Sequence, residues 1–324
     1  MIELERYEGN PILKPKSENC EAIFNPGACC CNGEVILLSR IVDEYEKYVS
    51  RIGLHRSMDG FNFESAGSIF GPDKQYDRHG CEDPRITEID GKFYLTYVGL
   101  SKPARQGGGP PAIALASTED FRNFQRHGLI TKRQADTRDA VLFPKKINGE
   151  FAILTRPFRL RKNEMDENTL RKMRVETPCP YNDLPEKPSI WISYSHNLKD
   201  WFGHKVIMES KEWWESEKIG AGAPPVKTPK GWLIIYHSVD AAGVYYIGAA
   251  LLDYKNPSNV IGRTKEPILK PREWYERIGD KNNVVFPEGN IIKDGTLFVY
   301  YGGADKYVGV ATCNLKKLLD CLTL

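Results

Sequence analysis

The feature that most constrains this sequence is a hairpin unit that recurs five times. Each copy starts with a glycine-containing turn and continues into a run rich in β-branched and aromatic residues, a pattern typical of a tight β-hairpin. The hairpin glycines stand at positions 33, 91, 149, 231 and 295, at intervals of 58, 58, 82 and 64 residues. The copies read NGEVILLSR, DGKFYLTYV, NGEFAILTRP, KGWLIIYHS and DGTLFVYYG.

A proline-containing segment precedes each hairpin and a second apolar segment follows it, so that one unit holds several short strands. Repeats of roughly 40–65 residues with about four short strands are typical of propeller blades. A β-sandwich also contains many short strands, but it would not repeat one unit five times. The sequence therefore predicts an all-β protein, a five-bladed β-propeller forming a single catalytic domain over residues 1–324.

The long third interval contains an additional segment, approximately residues 159–189. It is charged, contains prolines and is partly helical in its pattern. We interpret it as a loop or helical insertion between blades 3 and 4, not as a separate domain, because long loops in compact domains are usually functional.

The charge balance excludes some classes of partner. A formal net charge of +2 gives no reason to expect nucleic acid or a membrane surface. No apolar run approaches the ~20 residues of a membrane span, and the first residues lack a signal-peptide pattern. The eight cysteines show no C-x-x-C spacing, which favours reduced thiols over a metal site. We expect a cytoplasmic protein with no metal or organic cofactor, and a homo-oligomer remains open.

Polar residues end the apolar run of each hairpin, six or seven positions after its glycine. Inner strands of a propeller gather around the mouth of an axial channel, where polar strand ends would line a funnel. We expect this ring to contain Arg40, Tyr97, Arg156, His237 and Tyr301.

A second ring comes from the segments before the hairpins, namely Asn25, Glu82, Asp83, Arg138, Asp139, Lys218 and Glu288. Asp83 stands next to Pro84 at the start of an inner strand. A carboxyl group held by a rigid neighbour is a candidate general acid. The alternative is that Glu82 and Asp83 only form ion pairs with Arg85 or Arg78.

Around the funnel, we expect Asp83 to be surrounded by a set of cations, namely Arg40, Arg138, Arg156 and Lys218, with His237 as a further candidate. Guanidinium groups bind phosphate in a bidentate manner and lysine adds a point charge. An inverting glycosidase needs two carboxyl groups ~6.5–9.5 Å apart, whereas a phosphate nucleophile needs only the acid. One carboxylate among cations therefore favours phosphorolysis over hydrolysis.

Several motifs in order along nearly the whole chain resemble the glycoside phosphorylases of glycoside hydrolase family 130, which act on β-mannosides. They are EDPRIT, DAVLFPKKINGEFAILTRP, EKIGAGAPPVKTPKGWLIIYH, FPEGNI and YYGGAD. The resemblance implies a five-bladed propeller in which Asp83 is the catalytic acid and acts through a hydroxyl group of the bound mannose. Phosphate would attack the anomeric carbon with inversion and give α-mannose 1-phosphate.

The resemblance also implies the ligands of both substrates. Phosphate would bind to Arg40, Arg138, Arg156, Lys218 and His237. We further expect contacts to the mannose-containing oligosaccharide from Asn25, Arg56, Glu82, Tyr97, Asp139, Tyr301 and Asp305. A hydrolase with Asp139 as the base and a non-catalytic sugar-binding propeller remain alternatives, and a β-1,4 or a β-1,2 linkage is open.

Overall fold

Five antiparallel sheets radiate from a common axis in this computed structural model, which describes residues 2–15, 21–103, 112–131, 137–157 and 185–323. Inner strands of successive blades pack against one another around the axis. The predicted five-bladed β-propeller is confirmed.

Each blade is a meander that starts at the axis and runs outward. Blade 1 contains β2 (Ala22–Cys31), β3 (Glu34–Val42), β4 (Ser50–Ser57) and β5 (Glu64–Phe70). Blade 2 contains β6 (Cys81–Ile89), β7 (Lys92–Gly99), β8 (Ala112–Thr118) and β9 (Gln125–Leu129). Blade 3 contains β10 (Thr137–Leu142), β11 (Phe151–Pro157), β12 (Ile190–Ser195) and β13 (Trp201–Met208).

The inner strand of blade 4 is divided into two parts, and blade 5 takes its outer strand from the start of the chain. Blade 4 contains β14 (Lys218–Ala221), β15 (Val226–Thr228), β16 (Gly231–Val239), β17 (Tyr245–Leu252) and β18 (Val260–Arg263). Blade 5 contains β19 (Val285–Lys293), β20 (Thr296–Gly303), β21 (Tyr307–Asn314) and β1 (Glu5–Arg6).

The predicted hairpin turns join the inner strand of each blade to its second strand. In four of them both central residues have positive φ, as at Asn32 (51°) and Gly33 (84°). This is type I′ geometry, whose twist matches that of the flanking strands and which Asn-Gly and Asp-Gly favour. The fifth turn differs, because Pro229 and Lys230 form it and Gly231 already pairs with Thr228.

The position predicted for the insertion needs correction. Strands β11 and β12 pair with each other inside blade 3, and the additional residues lie between them. They therefore interrupt blade 3 and do not separate blades 3 and 4. Residues 158–184, and with them most of the predicted insertion, lie outside the described residues.

Two similar turns lead into the inner strands of blades 4 and 5. A 3₁₀ helix at Trp213–Glu215 and an α-helix at Trp274–Arg277 each begin with a capping box. The third helical residue of each turn is a buried glutamate, Glu215 or Glu276, which accepts a hydrogen bond from a tyrosine of the blade at 2.8 Å. A third helix, Leu315–Leu322, follows β21. Within the described ranges no helix is long and apolar enough to cross a membrane.

The ring closes where both ends of the chain meet in blade 5. Strand β1 pairs with β21, with Arg6 opposite Ala311. The Arg6 guanidinium donates two hydrogen bonds to Glu276, at 2.8 Å and 2.9 Å. Since the Glu276 side chain is fully buried, Arg6 is the cation that compensates its charge.

We predict that Arg6→Ala lowers the free energy of unfolding by about 3 kcal/mol, because it leaves a buried carboxylate without its cation. Urea denaturation measures this change. The matched control is Arg272→Ala, which breaks an exposed ion pair with Glu3 and should cost less than ~1 kcal/mol. Equal losses in the two variants would contradict this account of ring closure.

Candidate active site

Four inner strands carry a bulge at corresponding positions. At three of these bulges the extra residue has a left-handed backbone, at Asn25 (φ 49°), Asp83 (φ 52°) and Asp139 (φ 54°). Residues other than glycine seldom adopt this conformation, and bulges next to active sites redirect side chains. The fourth bulge contains Glu288. Three acidic groups and one amide are thereby directed from four blades into one buried cluster.

Asp83 lies within a network formed by blades 1 and 2. Its Oδ1 accepts hydrogen bonds from Asn25 Nδ2 at 3.0 Å and Arg40 Nη1 at 3.2 Å. Arg40 also binds Glu82 and donates to Ser50 Oγ at 2.8 Å. The carboxylate of Asp83 thus forms its ion pair with Arg40, which is distant in sequence, and not with Arg85, which is two residues away.

These contacts set the charge of Asp83. Burial acts to raise its pKa, but Arg40, Arg85 and the hydrogen bond from Asn25 together hold the pKa below its ordinary value. Arg138, which lies opposite Arg156 across the β10–β11 pair, acts in the same direction. Asp83 is therefore ionised at neutral pH unless an anion bound nearby offsets the cations.

Arg85, on the same strand as Asp83, forms a second network near the propeller axis. Its Nη2 lies 3.2 Å from Asp139 and 3.1 Å from Glu288, and both of these carboxylates are buried. The same guanidinium donates to the backbone oxygens of Gly222 at 2.9 Å and Asp83 at 3.1 Å. One side chain thus joins the inner region of four blades.

A second part of the cluster comes from blades 3 and 4. Asp139 accepts a hydrogen bond from Arg156 Nε and lies 3.5 Å from His237 Nε2. Burial holds the pKa of His237 well below its usual value, so its ring is neutral. Neither ring nitrogen of this buried histidine has a hydrogen-bond partner among the described residues. A neutral imidazole of this kind can donate one N–H to an oxyanion.

Gly220 makes this close packing possible. A side-chain carbon there would overlap the Asp139 carboxylate and the His237 ring, and it would also crowd Arg156. The glycine of the motif EKIGAG is therefore required by the close approach of these three side chains.

Sequence reasoning missed Tyr245 and Lys281. The Tyr245 hydroxyl accepts hydrogen bonds from Lys218 and from Lys281, each at 2.9 Å. Tyr245 begins β17 where β16 ends, just as Ser50 begins β4 opposite the end of β3. In an antiparallel pair, one strand starts where its neighbour ends, so the first residue of a third strand lies at the same level as the last residue of the second strand. Tyr245 is such a residue and could have been predicted in this way. Lys281 carries no comparable signal.

Asp305 adds another carboxyl group at the turn between β20 and β21. Burial raises its pKa from 3.8 to about 6, against the opposing effect of Arg40 and Lys281. The nearby charge of Asp83 raises the pKa further. This side chain therefore belongs to the same electrostatic cluster as the candidate acid.

The structure does not place Tyr97 and Tyr301 in the funnel. Their buried hydroxyl groups donate to Asp77 at 2.9 Å and to Glu276 at 2.8 Å, respectively. Tyr97 and Tyr301 stand six residues after the last residue of their turn, whereas Arg40, Arg156 and His237 stand seven residues after it. Successive side chains of a strand point to opposite faces. The two tyrosines therefore point to the opposite face of the sheet.

Arg56 also lies away from this cluster. It is opposite Ile36 in the register of β3 and β4, toward the hairpin end of the blade. Its guanidinium forms a partly exposed ion pair with Glu34 at 2.8 Å. Its partner Ile36 is four residues from Arg40 along β3, so Arg56 and Arg40 are separated by roughly 13 Å along the strand direction. The contact to sugar expected of Arg56 has no support in this geometry.

Fold and site together define a propeller enzyme whose inner strands place acidic groups beside a cluster of cations near the axis. The chain belongs to glycoside hydrolase family 130, whose sequence model, described as beta-1,4-mannooligosaccharide phosphorylase, matches residues 3–324.

Characterised relatives align along the whole chain. A 1,2-beta-oligomannan phosphorylase of Thermoanaerobacter sp. (strain X514) is 38% identical, over 98% of this chain and 99% of the relative. A beta-1,2-mannobiose phosphorylase of the same strain is 35% identical, again over 98% of this chain and 99% of the relative. The structure is similar to that of the beta-1,2-mannobiose phosphorylase from Listeria innocua in complex with beta-1,2-mannobiose. The TM-score is 0.81, with 28% identity over 98% of this chain and 99% of that one.

We predict that Asp305→Asn stabilises the protein at pH 7.5 but not near pH 4. The raised pKa of about 6 means that the folded chain holds this proton more tightly than the unfolded chain, so wild-type stability falls as the pH rises between about 4 and 6. Thermal unfolding at the two pH values measures the difference. Asp294→Asn, at a hairpin tip, is the control with no change at either pH, and an equal gain for Asp305→Asn at both values would contradict the interpretation.

Proposed function

We propose that this protein is an inverting β-mannoside phosphorylase that cleaves a β-mannosidic bond with inorganic phosphate and releases α-D-mannose 1-phosphate. The proposal rests on the two parts of the buried cluster, one around Asp83 and one around His237. Asp83, held by Asn25 and Arg40, is the acid, and the cations around His237 bind the nucleophile.

In this proposal Asp83 supplies the proton that the leaving oxygen needs, and a hydroxyl group of the bound mannose relays it. Phosphate oxygen attacks the anomeric carbon from the opposite face, so the new C–O bond forms as the glycosidic bond breaks. The dianion bound beside Arg138 and Arg156 offsets the cations that lower the pKa of Asp83, which favours the protonated acid. After the reaction, Asp83 regains its proton from solvent.

Hydrolysis would require a carboxylate base to activate water. Asp139 suits this role poorly, because the charges of Arg156 and Arg85 outweigh its burial and hold its pKa well below the ordinary range. A carboxylate of such low basicity is a weak general base. Asp305, with a pKa of about 6, is the better candidate base, so removal of phosphate is the informative experiment.

For the substrate, we propose a β-1,2-linked mannooligosaccharide. Support comes from the relatives of 38% and 35% identity, which are named for β-1,2-oligomannan and β-1,2-mannobiose. A beta-1,4-mannooligosaccharide phosphorylase of Ruminococcus albus is 30% identical. Synthesis from α-mannose 1-phosphate and mannose, followed by linkage analysis of the product, distinguishes the two linkages.

Phosphate is the one co-substrate that the proposal needs. The described residues contain no group of three or more His, Cys, Asp or Glu side chains arranged to hold a metal ion. We also propose a cytoplasmic location, supported by six described cysteines that are free thiols, among them the adjacent Cys29, Cys30 and Cys31.

We predict that Asp83→Asn lowers the rate of mannose 1-phosphate formation from β-1,2-mannobiose by a factor of about 10³, because the general acid is lost. Asp90→Asn is the matched control at the other end of the same inner strand, where asparagine suits the turn as it does at position 32. Its activity should equal that of the wild type. Without phosphate, the wild type should release no mannose; release at full rate would identify a hydrolase.

A further inference from the structure

A short connection crosses the end of blade 5 on the side of the active site. Residues 278–284, here called the strap, link the helix Trp274–Arg277 to β19. The strap is fixed by backbone hydrogen bonds from Lys281 N to Ala304 O (3.2 Å) and from Val284 N to Glu276 O (2.9 Å). Gly279 packs so closely on Ala304 that a side-chain carbon would overlap its oxygen. The position of the strap is therefore well defined.

Two neighbouring residues of the strap bond to different blades. Asp280 accepts hydrogen bonds from Tyr45 at 2.5 Å and Tyr48 at 3.4 Å, both in the β3–β4 connection of blade 1. Lys281 donates to Tyr245 of blade 4 at 2.9 Å. The strap thus ties blade 1 to blade 4 across blade 5 and fixes the direction of the Lys281 side chain.

This arrangement brings a second ammonium group to Tyr245. The nitrogens of Lys218 and Lys281 lie 4.9 Å and 4.2 Å from the ring centroid, and both donate to the same hydroxyl oxygen. An ammonium group carries three donors, of which Lys281 uses one on Tyr245. The Tyr245 ring stacks on His237 with a centroid distance of 6.2 Å. Lys281 therefore extends the cationic cluster beyond His237.

We propose that Lys281 is a further ligand of the phosphate co-substrate, positioned by the strap on the solvent side of the cluster. The inference rests on the proposed phosphorolytic function. Unlike the buried Arg156 and His237, Lys281 is exposed, so its ammonium group is accessible to phosphate that enters from solvent. Its charge also acts on Asp305, whose pKa it lowers, so Lys281 lies within electrostatic reach of the carboxyl groups of the cluster.

Lys281→Met should weaken the binding of inorganic phosphate, measured by isothermal titration calorimetry, by roughly 10-fold, the effect of losing one charge-assisted contact at a partly exposed site. The KM for phosphate should rise by the same factor, while kcat and the KM for β-1,2-mannobiose stay within about threefold. Lys281→Arg should restore most of the affinity.

Lys306→Met is the matched control. Its ammonium donates to Tyr45 at 3.1 Å, so it removes the same charge from the other side of the strap and should leave phosphate affinity unchanged. Equal phosphate affinity in Lys281→Met and wild type would overturn this inference alone. A wild-type protein that binds no phosphate would overturn the proposed function together with it. Equal losses in Lys281→Met and Lys306→Met would show a general charge effect and reject a specific contact.

Discussion

Four of the five inner strand regions meet at one buried guanidinium group, that of Arg85. Neighbouring blades of a propeller contact mainly each other, so a group that bonds several of them fixes their positions around the axis. Without Arg85, the buried carboxylate of Asp139 would lose one of its cations, a costly arrangement. Glu288, whose pKa burial raises well above its usual value, would lose the cation that opposes this rise. The geometry around Asp83 and of the cations near His237 depends on this group, since Asp83 lies two residues away on the same strand and Asp139 orients Arg156.

In the proposed reaction, the cations of the cluster act both on the acid, Asp83, and on the phosphate nucleophile. Arg40 and Arg138 hold Asp83 ionised in the free protein, although burial alone would protonate it. In the proposed reaction, a phosphate dianion bound among these cations would weaken their effect on Asp83, so that binding of the nucleophile would favour the protonated acid. Such a coupling would explain how one site can contain a general acid and an excess of basic groups.

Local signals in the sequence predict much of this architecture. Asn-Gly and Asp-Gly turns require only their own backbone conformation, so four of the five units could be recognised from their turns alone, and the fifth from its glycine and the apolar run that follows. Arg40, Arg156 and His237 were predicted from their places at the ends of the second strands, but Tyr97 and Tyr301 do not share their face because of a one-residue difference in register. Lys281 could not be predicted, since the tertiary contacts of the strap with Tyr45, Tyr48 and Ala304 bring it to Tyr245.

The central claim is that phosphate, and not water, attacks the sugar. The most direct test is a reaction of β-1,2-mannobiose with phosphate that carries ¹⁸O at all four oxygens, in unlabelled water, with the product analysed by ³¹P NMR and mass spectrometry. The account predicts α-mannose 1-phosphate that retains all four labelled oxygens, including the one bound to the anomeric carbon. Free mannose with an anomeric oxygen from water, and labelled phosphate left unconsumed, would contradict it.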